Sequence, residues 1–157
     1  MEISLKTLNE FVGVGVKWQG TFEEAENGDI REVFAQFKED VHSIPNRVEP
    51  QVIYGLADHN FEGGFTYYLL VEVASIGNIP EHMLTLQVPT QTYACTEYSE
   101  QSELSIQDTY MKLHQWIENK TYELDQFNFT SLEVYPNDYN PKVDQPKMTI
   151  HVPIQSS

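Results

Sequence analysis

One stretch of the chain places a charge where its neighbours call for none. Phe129-Thr130-Ser131-Leu132-Glu133-Val134-Tyr135-Pro136 reads as a buried β-strand, yet Glu133 stands in its middle. A period of two puts Phe129, Ser131, Glu133 and Tyr135 on one face and turns Leu132 and Val134 to the other. A carboxylate beside a ring on a covered face is costly unless it is hydrogen-bonded, protonated or paired with a cation. The cation option makes the strand a binding site. Rings to line such a site are plentiful, and Tyr54, Tyr68, Tyr93, Tyr135 and Trp116 are taken as the candidates. Adjacent Tyr67 and Tyr68 point to opposite faces, so only one of them can join, and Glu72 on the Tyr68 face is a second acidic candidate.

Other chemistries find no support in the residue spacing. The histidines 42, 59, 82, 114 and 151 include no pair at i, i+4 and no His-Glu-x-x-His, and the lone cysteine has no partner at zinc spacing. No metal and no cofactor is expected. Cys95 reads as a small buried hydrophobe, and His151, on the face opposite Met148, Ile150 and Val152, is expected in solvent or in a satisfied hydrogen bond rather than in the groove. Gly13-Val14-Gly15 lacks the third glycine and the helix start of a nucleotide site.

A formal charge of −15, from 24 acidic against 9 basic residues, repels phosphate backbones and attracts cations. Direct nucleic-acid binding is not expected. No apolar run is long enough to span a membrane, the amino-terminal residues lack a signal-peptide pattern, and a single cysteine fits a reducing compartment. The expected location is the cytoplasm, and the expected organisation is one domain over residues 1–157.

Elements to hold the candidate residues follow in order. Leu8 to Trp18 alternates as a strand whose glycines allow close approach of a neighbour or ligand. Ile30, Val33, Phe34, Phe37 and Val41 recur at helical spacing after Asn27-Gly28-Asp29, until Pro45. Gln51–Ala57 and Phe65–Ala74 form a hairpin around a Gly-Gly turn. The pattern then restarts: a strand from Thr90 to Tyr98, a helix within Ser102–Lys120 carrying Ile106, Tyr110, Leu113 and Ile117 behind a Ser105/Asp108 cap, and strands at 129–135 and 147–154. The expected class is α+β, with tandem duplicated β-α-β-β units (about 5–76 and 88–155). Their shared antiparallel sheet would carry both helices on one face and leave the other to form a ligand groove. In this repeat Gly55 is answered by Glu133.

Leu132-Glu133-x-Tyr135-Pro136-Asn137-Asp138, the closing Met148 to Ile154, Val88 to Ala94, and Leu113-His114-Gln115-Trp116-Ile117 together resemble the gyrase-inhibitor-like small-molecule-binding domains. These include the effector-binding domains of multidrug-responsive transcription regulators. The resemblance covers essentially the whole chain. It implies a tandem β-α-β-β fold with a groove where the units meet, and carries onto Glu133 the role of counter-ion to lipophilic cations. The regulators of this family carry a DNA-binding domain, for which these residues offer no segment, so regulation would run through a protein partner.

Two functions follow. The first is a non-catalytic module that senses or sequesters an amphipathic cation through Glu133. The second is a hydrolase of reactive cyclopropane-type electrophiles, with Glu133 as general base and a tyrosine as acid, as the resemblance to hydrolytic relatives implies. An acidic surface serving only a protein partner is a third, for which the sequence carries no interface motif.

Overall fold

The structure, a computed structural model, describes residues 1–155. Eight strands make one sheet: β1 (Ser4–Leu8), β2 (Phe11–Thr21), β3 (Ile53–Phe61), β4 (Gly64–Val73), β5 (Leu84–Val88), β6 (Gln91–Tyr98), β7 (Ser131–Tyr135) and β8 (Met148–Ile154). Every pairing is antiparallel, in the order β1-β6-β8-β7-β3-β4-β2-β5. Three helices accompany them: α1 (Phe22–Glu26), α2 (Asp29–Asp40, continued by a 3-10 turn at Val41–Ser43) and α3 (Ile106–Asn119). Among the described residues no helix is long and apolar enough to cross a membrane.

The strand order reads alike from either edge, and β3 and β7 meet in the middle. Two short strands that periodicity did not reveal, β1 and β5, complete the edges by exchange. β1 runs into β2 through Asn9–Glu10 yet pairs with β6, while β5 runs into β6 through Pro89–Thr90 yet pairs with β2. The connectors touch where they pass, Glu10 N donating to Thr90 Oγ1 at 3.0 Å and Gln87 Nε2 to Glu10 Oε2 at 3.3 Å. Both strands are short and largely exposed, so neither shows a strong apolar alternation.

Local chemistry sets the helix ends. At α1 a reciprocal box forms, Thr21 Oγ1 accepting from Glu24 N at 3.1 Å and Glu24 Oε1 from Thr21 N at 2.8 Å. Gly28, at φ 98°, turns the chain from α1 into α2 in the left-handed region that favours glycine. At α3 Ser105 Oγ accepts from Asp108 N at 3.0 Å, as its spacing implied. Gly15 permits a different closeness: a Cβ there would fall 1.7 Å from the Leu69 carbonyl oxygen of β4.

Two cores lie on opposite faces. Phe34 and Phe37 of α2 and Leu113 and Ile117 of α3 pack with Val14, Leu69, Ile150 and Val152 on one face. Phe11, Leu56, Leu70, Val88, Tyr93, Phe129 and Leu132 fill the other. Each fully buried side chain of this size contributes roughly 1.5–3 kcal/mol. α2 lies against β2, and α3 against β6 and β8, so β3 and β7 run between the helices. The expectation that the helix-free face would supply the groove therefore fails. Phe11 of β2 stacks on Tyr54 of β3 at 4.5 Å although β4 separates their backbones, so side chains close over much of that face and leave a small cavity beside Leu56, Tyr68, Val88 and Phe129.

Candidate functional site

Glu133 sits at the centre of the sheet, paired with Gly55 in the β3–β7 ladder and partly exposed on the helix-bearing face. Three phenols converge on it. Oε1 accepts from Tyr67 Oη at 2.6 Å and Tyr135 Oη at 2.9 Å, and Oε2 accepts from Tyr110 Oη at 2.6 Å. Tyr67 and Tyr135 also stand 3.3 Å apart at their hydroxyls, and Tyr110 Oη lies 3.4 Å from Ser131 Oγ. O–H···O⁻ bonds this short are charge-assisted and roughly twice as strong as neutral ones. Burial, and then the negative charge of Glu133, hold all three phenols well above the usual tyrosine range, so they stay protonated and donate.

None of the salt bridges among the described residues involves Glu133. The carboxylate is thus solvated by neutral donors, with no basic side chain paired to it among the described residues. Three of its roughly four acceptor directions are taken, and one is left.

Gly55 makes the cage possible. A Cβ there would fall 1.9 Å from Tyr67 Oη and 3.2 Å from Tyr135 Cε2, so the missing side chain is the space the Tyr67 phenol occupies. On one side of the cage Phe34 of α2 stands edge-on to Tyr135 at 4.8 Å, and Tyr139 stacks on Tyr135 at 5.3 Å. Lys38 of α2 holds the loop after β7 by donating to the carbonyls of Asn137 and Tyr139. On the other side Phe65 stands edge-on to Tyr67 at 6.2 Å and is followed by Trp18 at 5.3 Å, His59 at 5.3 Å and Phe22 at 5.5 Å. The first wall is buried, whereas Phe22 and His59 on the second are exposed.

Of the residues singled out from the sequence, Glu133 and Tyr135 come together here. Trp116 makes its contacts with Tyr122, stacked at 6.0 Å, and with Lys120 Nζ at 5.9 Å. Tyr54, Tyr68, Tyr93 and Glu72 lie on the opposite face, so the expected common groove does not form. Tyr54, Tyr68 and Tyr93 belong to the second core, and Glu72 faces Tyr54, whose pKa is raised by burial and then by that charge. Tyr68 lines a separate cavity of about 150 Å³ with Leu56, Val88 and Phe129. Phe129 departs from the face assigned to it because Thr130 N donates to the Ala57 carbonyl before β7 begins, breaking the alternation ahead of Ser131. His151, expected in solvent or in a satisfied hydrogen bond, is fully buried against Tyr93 with Nδ1 at 3.2 Å from the Thr149 carbonyl, because the helix-free face is itself a core.

Tyr67 and Tyr110 are the site residues that the sequence reading left out. The odd positions of β4 (Phe65, Tyr67, Leu69, Val71, Val73) are wholly apolar or aromatic, while the even ones include Thr66 and Glu72. That difference marks the helix-covered face and would have favoured Tyr67 over Tyr68. Tyr110 was visible as a hydroxyl on the apolar stripe of α3.

A family model described as Cass2, integron-associated effector binding protein, matches residues 4–154. The transcriptional regulator BrlR of Pseudomonas aeruginosa is 32% identical over 84 residues, which make up 54% of this chain and 30% of BrlR. The chain therefore aligns with less than a third of that regulator's length. Among solved structures, SAV2435 bound to tetraphenylphosphonium superposes with a TM-score of 0.70 at 15% identity, over 99% of this chain and 95% of that one. A hydrolase from Listeria innocua superposes with a TM-score of 0.60 at 9% identity, over 98% and 92%. At these identities the two structures speak to the fold.

Proposed function

We propose, for a chain that belongs to the Cass2 family of integron-associated effector binding proteins and has the gyrase-inhibitor-like effector-domain fold, that Glu133 is the counter-ion for a lipophilic, cationic small molecule held between α2 and α3. The observation that carries this reading is the carboxylate held by three phenols with no basic partner. Neutral donors solvate the carboxylate without supplying it a positive partner, so a ligand cation would be the first to pair with it. Aromatic faces on both sides of the cage add cation–π attraction of about 0.5–2 kcal/mol per well-placed ring. The acidic surface raises the local cation concentration. We read the matching halves of the sheet as a duplication in which only the second copy acquired the charge, and the first kept glycine to admit Tyr67.

Tetraphenylphosphonium is the probe, because a relative of this fold is described as bound to it. It should bind with micromolar affinity and quench tryptophan fluorescence. The quench should vanish in Trp18→Phe and survive in Trp116→Phe. Equal affinity of wild type and Glu133→Gln would end the counter-ion reading. The hydrolytic alternative uses the same carboxylate and its one free acceptor direction for a water, and mass spectrometry of cyclopropane-bearing electrophiles after incubation separates the two. A water adduct would mark an enzyme, and an unchanged compound a binding module.

A further inference from the structure

His59 sits on the open aromatic wall. Its ring stands edge-on to Phe22 at 5.7 Å and to Phe65 at 5.3 Å, and Phe65 leads through Tyr67 to the carboxylate. His59 lies four residues along β3 from Gly55, about 13 Å at the usual strand rise. A ligand that placed its charge at Glu133 and its aryl groups on this wall would span that distance.

The charged groups nearest it in the fold are the carboxylates of Asp58, Glu23, Glu24 and Glu62, and of these Asp58 favours the protonated ring. Asp58, its neighbour on β3, lines the cavity on the opposite side of the sheet. On α1, Glu24 is held in its capping box with Thr21, and Glu23 carries a second charge near Phe22. Glu62 lies in the β3–β4 turn. From β4, β2 and the segment before β7, the neighbours are the uncharged Phe65, Trp18 and Thr130, whose Oγ1 accepts from His59 N at 2.9 Å. No salt bridge among the described residues includes His59. Burial among the rings lowers its pKa below the usual imidazole range despite the charge of Asp58, so it is neutral at neutral pH.

We propose that His59 determines when and what this site accepts: neutral, it is one more ring of the wall for an aryl-bearing monocation, and protonated, it is a competing cation seated on the same rings. The inference rests on the counter-ion reading of Glu133. A second positive charge about 13 Å from the bound cation would weaken capture about fourfold in buffer of about 0.01 M ionic strength, where the screening length is about 30 Å, and less at higher salt. Capture is then favoured at neutral and alkaline pH and reversed by acidification, and ligands with a second positive charge toward the wall are excluded.

Tetraphenylphosphonium affinity, measured calorimetrically on the full chain at about pH 8 and about pH 5, tests it. In buffer of about 0.01 M ionic strength wild type should lose about fourfold across that range, His59→Gln should change less than about twofold, and His59→Lys should be weaker than wild type already at pH 8. Parallel losses in wild type and His59→Gln would overturn the inference and assign the pH dependence to another group. Absence of binding to wild type at pH 8 would overturn the counter-ion reading itself, and this inference with it.

Discussion

The two faces of the sheet hold similar residues and use them in opposite ways. On the helix-bearing face Tyr67, Tyr110 and Tyr135 converge on Glu133, and every phenol is satisfied by one carboxylate. On the other face Tyr54 lies near Glu72, while Tyr93 packs against His151 and Phe129, and no single group gathers their polar atoms among the described residues. The difference identifies a site by mutual arrangement, since aromatic and acidic content alone would assign it to either face.

The largest expected effect comes from removing the charge on which the first face converges. Glu133→Gln should lower tetraphenylphosphonium affinity by about ten- to a hundredfold, because a partly exposed charge pair lies between a surface pair, worth about 1 kcal/mol, and a buried one, whose breaking costs about 3–5 kcal/mol. The amide oxygen still accepts from a phenol, so the fold should persist, checked by an unchanged circular dichroism spectrum. Gly55→Ala attacks the same cage from across the ladder. Its Cβ would meet Tyr67 Oη at 1.9 Å and Cζ at 2.6 Å. The phenol must leave Glu133 or β3 must shift, and the urea midpoint should fall by the equivalent of about 1–3 kcal/mol.

The sequence made Glu133 conspicuous because its charge interrupts an apolar strand, and made the helices legible because Phe34, Phe37, Leu113 and Ile117 recur at helical spacing. What it left ambiguous was which side of each strand faced which layer. β4 is buried on both faces, so alternation there separates two sets of largely apolar residues, and by itself does not tell which of Tyr67 and Tyr68 reaches Glu133. The exchange of β1 and β5 was equally hidden, since pairing partners 85 residues apart, such as Thr7 and Thr92, leave no trace in local periodicity. For His151 residue type favours solvent or a satisfied hydrogen bond, and the second core leaves only the latter, at the Thr149 carbonyl.

That core gives the next prediction. Burial lowers the His151 pKa to about 4, despite its bond to the Thr149 carbonyl at 3.2 Å. The unfolded chain, with an ordinary imidazole near 6.5, then binds more protons than the folded one in the window between these values. Stability is therefore complete above the unfolded pKa and falls as pH drops toward about 4. From about pH 7 to about pH 5 this amounts to about 2 kcal/mol, read as a drop in urea midpoint. His151→Phe should remove that slope and leave tetraphenylphosphonium affinity at pH 8 unchanged, separating the pH response of this face from that of His59.

The smallest expected effect discriminates the two faces most sharply. Tyr68 and Tyr67 are neighbours in β4, yet Tyr67 donates to Glu133 and Tyr68 lines the cavity on the far side. Tyr67→Phe removes a charge-assisted bond from the carboxylate, worth about 1.5–3 kcal/mol, and leaves Glu133 less solvated before a cation arrives. Tyr68→Phe touches no group that meets the carboxylate, and should leave tetraphenylphosphonium affinity within about twofold and stability within about 0.5 kcal/mol. A cation site spread over both faces would respond to both substitutions alike. If Tyr68→Phe weakened capture as much as Tyr67→Phe does, ligand would be entering from the helix-free side, and the convergence on Glu133 would be a structural cage alone.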